Sequence, residues 1–185
     1  SCSCGSNLEW DGVDLICPNI HCTDNSWHNL YHFISTISDI KGVSSKLINA
    51  IINTSGWKSI LDIYDTSKEF LNDNLQYVPQ YTWINSLRNL DGFGDSAIKF
   101  AESVMEKLYK SDVDFTRWIV SLNLNGVGWN IASVIKSRLW KHLTEVSDEI
   151  LNVKFSDLSG IGSSIETILN ENLEYIRNIF NAMSV

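Results

Sequence analysis

A chain of 185 residues that is 44% hydrophobic, with 7 Trp and 7 Phe, has enough apolar mass for one large core or two small ones. Its formal net charge of −8 argues against a strongly basic, self-sufficient nucleic-acid binder. With 2 prolines the chain suits a mainly helical fold, and no apolar run reaches the roughly 18 residues that a membrane span needs.

All four cysteines fall in the opening stretch "SCSCGSNLEWDGVDLICPNIHC". Cys2 and Cys4 form one pair, Cys17 and Cys22 a second, with a short ribbon between them. Two such knuckles supply four thiolates to one tetrahedral ion, which is the donor set of structural zinc. Gly5 follows the first knuckle, where a tight turn lets backbone amides point at a thiolate sulfur. Four protein ligands leave no position open for a catalytic water, so the predicted role is structural. Two alternatives stand beside this one. The cysteines could form two disulfides, or His21 or His28 could replace one of them, because zinc accepts imidazole. The sequence shows no secretory leader and starts at Ser1, so a fragment or processed product is expected.

Downstream, a glycine pattern recurs. "LDGFGDSAI" (90–98), "LNGVGWNIASVI" (124–135) and "LSGIGSSIETIL" (158–169) place their first glycines at Gly92, Gly126 and Gly160, at a constant spacing. A looser copy, "IKGVSSKLINAII", carries Gly42 further upstream. Reuse at such a period marks a repeated supersecondary unit. Each copy reads as a helix, a hairpin holding the glycines, and a second helix. In the first, Phe33, Ile34 and Ile37 precede the turn, and Leu47, Ile48, Ile51 and Ile52 follow it at helical spacing. A tetratricopeptide array shares the period but not the Trp, Tyr and Pro signature. The longer first interval holds "LNDNLQYVPQYTW"; Tyr77, Pro79, Tyr81 and Trp83 there are read as core under a long connection rather than as base-stacking residues. The predicted fold is therefore mainly α: a small Cys4 zinc finger at 1–28, then a tandem of four helix-hairpin-helix units at 29–185.

The glycines narrow the partner. A dinucleotide fold needs a preceding strand and a third glycine, and a P-loop needs G-K-[ST]; neither occurs here. A helix-hairpin-helix uses glycine to turn the chain and to leave no Cβ between the backbone and a phosphate. Amides of the hairpin and of the following helix's first turn then face the anion, aided by the helix dipole. Such contacts position a duplex without reading its sequence. The residues predicted to meet DNA are Lys41, Gly42, Ser44, Ser45 and Lys46 in the first unit, Gly126, Gly128, Asn130 and Arg138 in the third, and Gly160, Gly162, Ser163 and Ser164 in the fourth. Asp91 and Asp95 weaken the second hairpin as a phosphate site, so it is read as structural.

Four cysteines followed by four such hairpins resemble the zinc-finger and helix-hairpin-helix portion of bacterial and viral NAD-dependent DNA ligases. "CGS…CPNIHC" is similar to that family's zinc knuckles, and "HFISTISDIKGVSSKLINAII" to its first hairpin unit. "SILDIYDTS" (59–67) is similar to its A-D-L-Y-x-L segment, and "NGVG" and "SGIG" to its last two hairpins. The resemblance covers essentially the whole chain, and the order of the motifs carries it. It implies a non-sequence-specific clamp on nicked double-stranded DNA, serving an enzyme that transfers AMP from NAD to the 5′-phosphate of the nick.

The chain departs from the family where the chemistry would sit. The family's nucleophilic lysine lies in K-x-D-G, and the nearest text here, "KSDV" (110–113), lacks the glycine; Lys110 and Asp112 read as solvated linker residues. The chain is thus expected to be inactive alone, to use no NAD itself, and to work with the remaining ligase domains or a second ligase subunit. No membrane partner is expected, and the expected location is the cytoplasm, with the nucleoid or, for a viral version, the host cytoplasm. A protein-interaction adapter built from the same repeats is the competing reading, favoured by the charge. A metal-dependent nuclease has only "SDEI" (147–150) and "ENLE" (171–174) to draw on, and solvated helix faces explain those.

Overall fold

The computed structural model describes residues 1–19, 22–39, 44–68, 82–109, 113–145 and 152–183. Two short strands, β1 (Glu9–Asp11) and β2 (Asp14–Ile16), pair antiparallel, with Trp10 opposite Leu15. Both of those side chains are exposed. Among the described residues before the first helix, only Cys17 and Cys22 are buried, so the ribbon has no apolar core of its own.

The rest is helical. Leu30, Phe33, Ile34 and Ile37 recur at the spacing of one helix face and are buried on α1 (Thr23–Ser38), which ends at Asp39 in the left-handed region. The Ser44 hydroxyl accepts from the Leu47 amide and starts α2 (Ser45–Ser55), which buries Ile48, Ile51 and Ile52 against α1 and stops at Gly56, φ +75°. The Asp62 carboxylate accepts from the amides of Lys58 and Ser59 at the head of α3 (Ile60–Lys68), whose Ile60, Ile63 and Tyr64 are buried. A five-residue helix, α4 (Thr82–Ser86), runs into a 3-10 turn (Leu87–Asn89) and leads to α5 (Asp95–Tyr109). Asp114 caps α6 (Phe115–Ser121), which packs on α1 and on the long α7 (Trp129–Glu145). Last come α8 (Ser163–Glu171) and α9 (Leu173–Met183), the latter lying on α3. One apolar cluster runs from Leu30 to Phe180 through all of these helices.

Polar ties fix how the helices sit. The His32 imidazole donates through Nε2 to the Val120 carbonyl at 2.8 Å, and the Asn123 side-chain amide donates to Asn29 at 3.1 Å, locking the end of α6 onto α1. Phe115 stacks on Trp118 with ring centroids 5.4 Å apart, and Phe180 closes both edge-on. Trp83 packs edge-on against Trp57 at 5.0 Å and is half-buried, which makes it a core residue; Tyr77, Pro79 and Tyr81 lie outside the described residues.

The units are less uniform than the repeat suggests. In the second, Asn85, Ser86 and Asn89 are poor helix formers, and the leading element is correspondingly short. In the fourth, no helix precedes the turn among the described residues: residues 152–158 form an extended strap and turn. Side chains hold that strap instead of a helix partner. The Glu166 carboxylate accepts from the Phe155 and Ser156 amides at 2.7 and 2.6 Å, and Asn170 both donates to and accepts from the Val153 backbone.

His142, buried on α7, supplies a pH-dependent element. Its Nε2 lies 3.2 Å from the Arg177 guanidinium, which can only donate, so the ring is neutral and accepts. Burial, and then the Arg177 charge, hold its pKa below the usual 6.5. Because the folded value is depressed, the unfolded chain binds more protons below about pH 6.5, and stability falls on acidification from there. A His142→Gln variant keeps an acceptor for Arg177 without titrating. Its melting temperature should drop less than the parent's between about pH 7.5 and about pH 5.5; equal drops would refute this role.

Candidate metal centre and nucleic-acid interface

The four cysteines converge. Cys2 and Cys22 Sγ are 3.3 Å apart, Cys4 and Cys17 Sγ 3.6 Å, and all four ligand atoms lie within 4.8 Å of one another. Thiolates about 2.3 Å from a tetrahedral ion stand about 3.8 Å from each other, so the cluster fits one metal. These separations exceed a disulfide bond of about 2.05 Å, so the structure holds the four as free cysteines rather than as two disulfides. Among the described residues the cluster contains no histidine: His28 lies edge-on to Trp27, and His21 is outside the described residues.

Local backbone sets this geometry. The Gly5 amide donates to the Cys2 carbonyl and the Cys2 amide to the Ser6 carbonyl, both at 2.9 Å, closing the first knuckle through a positive φ at Gly5. The Cys22 amide donates to Asn19 at 3.0 Å, and Cys22 is the residue from which α1 starts. The ribbon is thereby bolted to the helical core through one of its ligands. Ser6, with its hydroxyl 3.3 Å from Cys4 Sγ, holds the Cys4 thiol down to about 6. Burial pushes the Cys17 thiol up to about 12. One sulfur is thus ready to ionise, while another needs a cation to displace its proton.

Three of the hairpins share one geometry. The Phe93, Val127 and Ile161 amides donate to the Leu90, Leu124 and Leu158 carbonyls at 3.2, 3.0 and 3.1 Å. Gly92, Gly126 and Gly160 stand third in these turns with φ of +86°, +75° and +84°, as a type II turn requires. The apolar residue between the glycines points inward, with Val127 and Ile161 buried. The second glycines behave differently. Gly94, Gly128 and Gly162 have no positive φ, and a Cβ on any of them would meet nothing within 4 Å. Each is the residue from which the next helix starts, as the bonds Ala97 to Gly94, Ala132 to Gly128 and Glu166 to Gly162 show. The first hairpin's turn, including Lys41 and Gly42, lies outside the described residues; its Ser44 holds the equivalent capping place.

The structure pairs the hairpins. A Cβ on Gly92 would meet Lys46 Nζ at 3.3 Å, and that ammonium stands 5.5 Å from the Phe93 ring centroid, so Lys46 reaches across to the second hairpin. A Cβ on Gly126 would meet Ile165 Cδ1 at 3.0 Å, so the third hairpin lies on the first turn of α8. Ser44, Ser45, Asn130, Ser163 and Ser164 are all exposed at helix starts. Arg138 is engaged elsewhere. It donates to the Lys154 carbonyl at 2.8 Å and pairs with Asp157, tying α7 to the strap before the fourth hairpin. Its charge is largely neutralised there. In the second hairpin Arg88 pairs with Asp95 at 3.2 Å, and Asp91 stays exposed. For the acidic groups weighed as a nuclease, Glu171 and Glu174 are exposed and 147–150 lie outside the described residues.

No family model matches the chain. It is 31% identical over 176 residues to the DNA ligase of Leptospira biflexa, an alignment that takes in 90% of this chain. The DNA ligases of Finegoldia magna and Methylacidiphilum infernorum align at 28% and 27% identity over 95% and 83% of it.

This chain is similar to a portion of DNA ligases.

It spans about a quarter of their length, 24% in the Leptospira case. The similarity takes in 90% of the chain, so it is not confined to a single hairpin. Two residues at the third hairpin escaped the sequence reading, Trp129 and Arg117. An exposed tryptophan beside a helix-starting glycine was the signal available for the first; the second shows only in three dimensions.

Proposed function

We propose that this chain is the duplex-gripping module of an NAD-dependent DNA ligase: four hairpin units of the helix-hairpin-helix kind, the fourth led by a strap among the described residues, with a structural zinc finger at 1–28 ahead of them, holding nicked DNA through backbone amides. The observation that carries this reading is the second glycine. At Gly128 and Gly162 neither backbone angle nor packing asks for glycine, and serine would be the better cap. A bare Cα in open space at a helix start is what close approach of a phosphate needs. The first-turn amides of α7 and α8 have no intrahelical acceptors and can serve that anion.

The net charge of −8 agrees with a grip made by amides rather than by a lysine patch. It sets a shallow salt dependence, because few counterions leave. The four thiolates suit zinc, which needs no redox chemistry and no open position in a structural role.

Two expectations follow for the isolated chain. It should bind nicked duplex with no preference among base sequences, measured by fluorescence anisotropy at two salt concentrations. Incubated with labelled NAD it should form no covalent adenylate, since no K-x-D-G is present. Added to the complementary part of a ligase it should raise nick sealing. Absence of duplex binding by the folded, metal-loaded chain would overturn the reading in favour of a protein-interaction adapter.

A further inference from the structure

Trp129 is the first residue of α7 and directly follows Gly128. It is 48% exposed, which leaves a large apolar surface in water beside the open glycine. The ring is not loose. The Arg117 guanidinium stacks on it, 5.1 Å from the ring centroid. Arg117 is itself fixed, donating to the Thr36 carbonyl at 3.0 Å and pairing with Asp39 at 3.3 Å where α1 ends. The core scaffold therefore holds the indole from one side while nearly half of it meets solvent. A side chain ordered in advance loses little entropy when it binds.

Charge selects the partner. In a chain of net charge −8, α7 carries Lys136, Arg138 and Lys141 against a single acid, Glu145, which pairs with Lys141 at 4.0 Å. Arg138 is bound to Asp157, but Lys136 is exposed, about two helical turns along the same side as Trp129. Helical side chains lean toward the N-terminus, which brings this lysine back toward the hairpin. An indole, a lysine and open helix-start amides on one surface match a polyanion with apolar ribose edges.

We propose that Trp129 is an apolar anchor that enters the minor groove of duplex DNA and packs on the sugars beside the phosphate held at Gly128, with Lys136 facing a neighbouring phosphate. The proposal rests on the duplex-binding reading above and adds to it a specific residue pair. Minor-groove binders insert such apolar side chains to grip DNA without base-specific hydrogen bonds. The two residues act through different physics. The indole releases no counterions, whereas the lysine does.

The test is the affinity of the full metal-loaded chain for a nicked duplex across a salt series, with 2-aminopurine beside the nick as a second probe. Trp129→Ala should bind about tenfold more weakly with an unchanged salt slope, and the 2-aminopurine signal seen with the parent should vanish. Trp129→Phe, which keeps a ring for Arg117 and guards against a folding defect, should fall between. Lys136→Gln should lower the salt slope by about one. If Trp129→Ala melts and binds like the parent, the anchor is overturned while the duplex reading stands. If the parent itself fails to bind duplex, both fall, and a basic, aromatic face then fits an acidic protein.

Discussion

Chelation of the metal should unfold the ribbon and leave the helical core standing. The four sulfurs sit within 4.8 Å of one another, and residues 1–19 have little apolar packing to hold them: Trp10, Val13 and Leu15 are exposed, the two strands are three residues each, and the ties to α1 include single hydrogen bonds from the Asn25 side chain to the Cys17 carbonyl and from the Cys22 amide to the Asn19 carbonyl. An isolated two-stranded hairpin is marginal in water, whereas structural zinc contributes about 10–16 kcal/mol of apparent binding energy to a folded finger. The core runs from Leu30 to Phe180 without the ribbon. Chelator should therefore make all four thiols reactive and open residues 1–19 to protease, with a small change in helical circular dichroism confined to the start of α1 at Cys22. Cys17→Ser should act as chelation does. Metal affinity should fall on acidification, because the Cys17 thiol, pushed up to about 12, must still give up its proton. Protein purified without chelator that holds no zinc, or thiols that stay unreactive after chelation, would contradict this account.

How much of this was legible beforehand differs by element. The four cysteines were readable as one site because metal chemistry demands a small set of ligands at short spacing. The hairpin turns were readable because L-x-G-h-G encodes both a positive φ and a helix start. Spacing alone did not reveal that the two glycines of each pair do different jobs. Gly92, Gly126 and Gly160 bend the backbone, while Gly94, Gly128 and Gly162 clear a surface. Nor did it show that the strap at 152–158 stands in for a helix, since that depends on Glu166 and Asn170 reaching back from α8. Arg138 read as a cation for DNA because its partner, Asp157, is far along the chain. In the second hairpin, which the sequence marks as structural, the folding-sensitive position is Gly92, with its positive φ and its contact with Lys46.

That division of labour gives the most discriminating experiment. Gly128→Val and Gly162→Val place a branched side chain where the structure has open space, at backbone angles any residue can adopt (φ −89° and ψ 177° at Gly162). The cost to folding is then the loss of a tolerated cap, about 0.5–1 kcal/mol. The cost to binding is larger, because the new methyls stand between the first-turn amides and a phosphate; a lost charge-assisted hydrogen bond is worth roughly 1.5–3 kcal/mol, or about 10- to 100-fold in affinity. Gly126→Ala should show the opposite balance. It forces a Cβ into the left-handed region and to within 3.0 Å of Ile165 Cδ1, so the melting temperature should fall first. Gly128→Ser serves as a control for the cap: its hydroxyl should raise the melting temperature, as the Ser44 hydroxyl caps α2. Nicked-duplex affinity and thermal melts for these four variants separate surface from fold. Valine variants that stay folded and bind as the parent does would make the hairpins packing turns, and the open glycines would then need another partner.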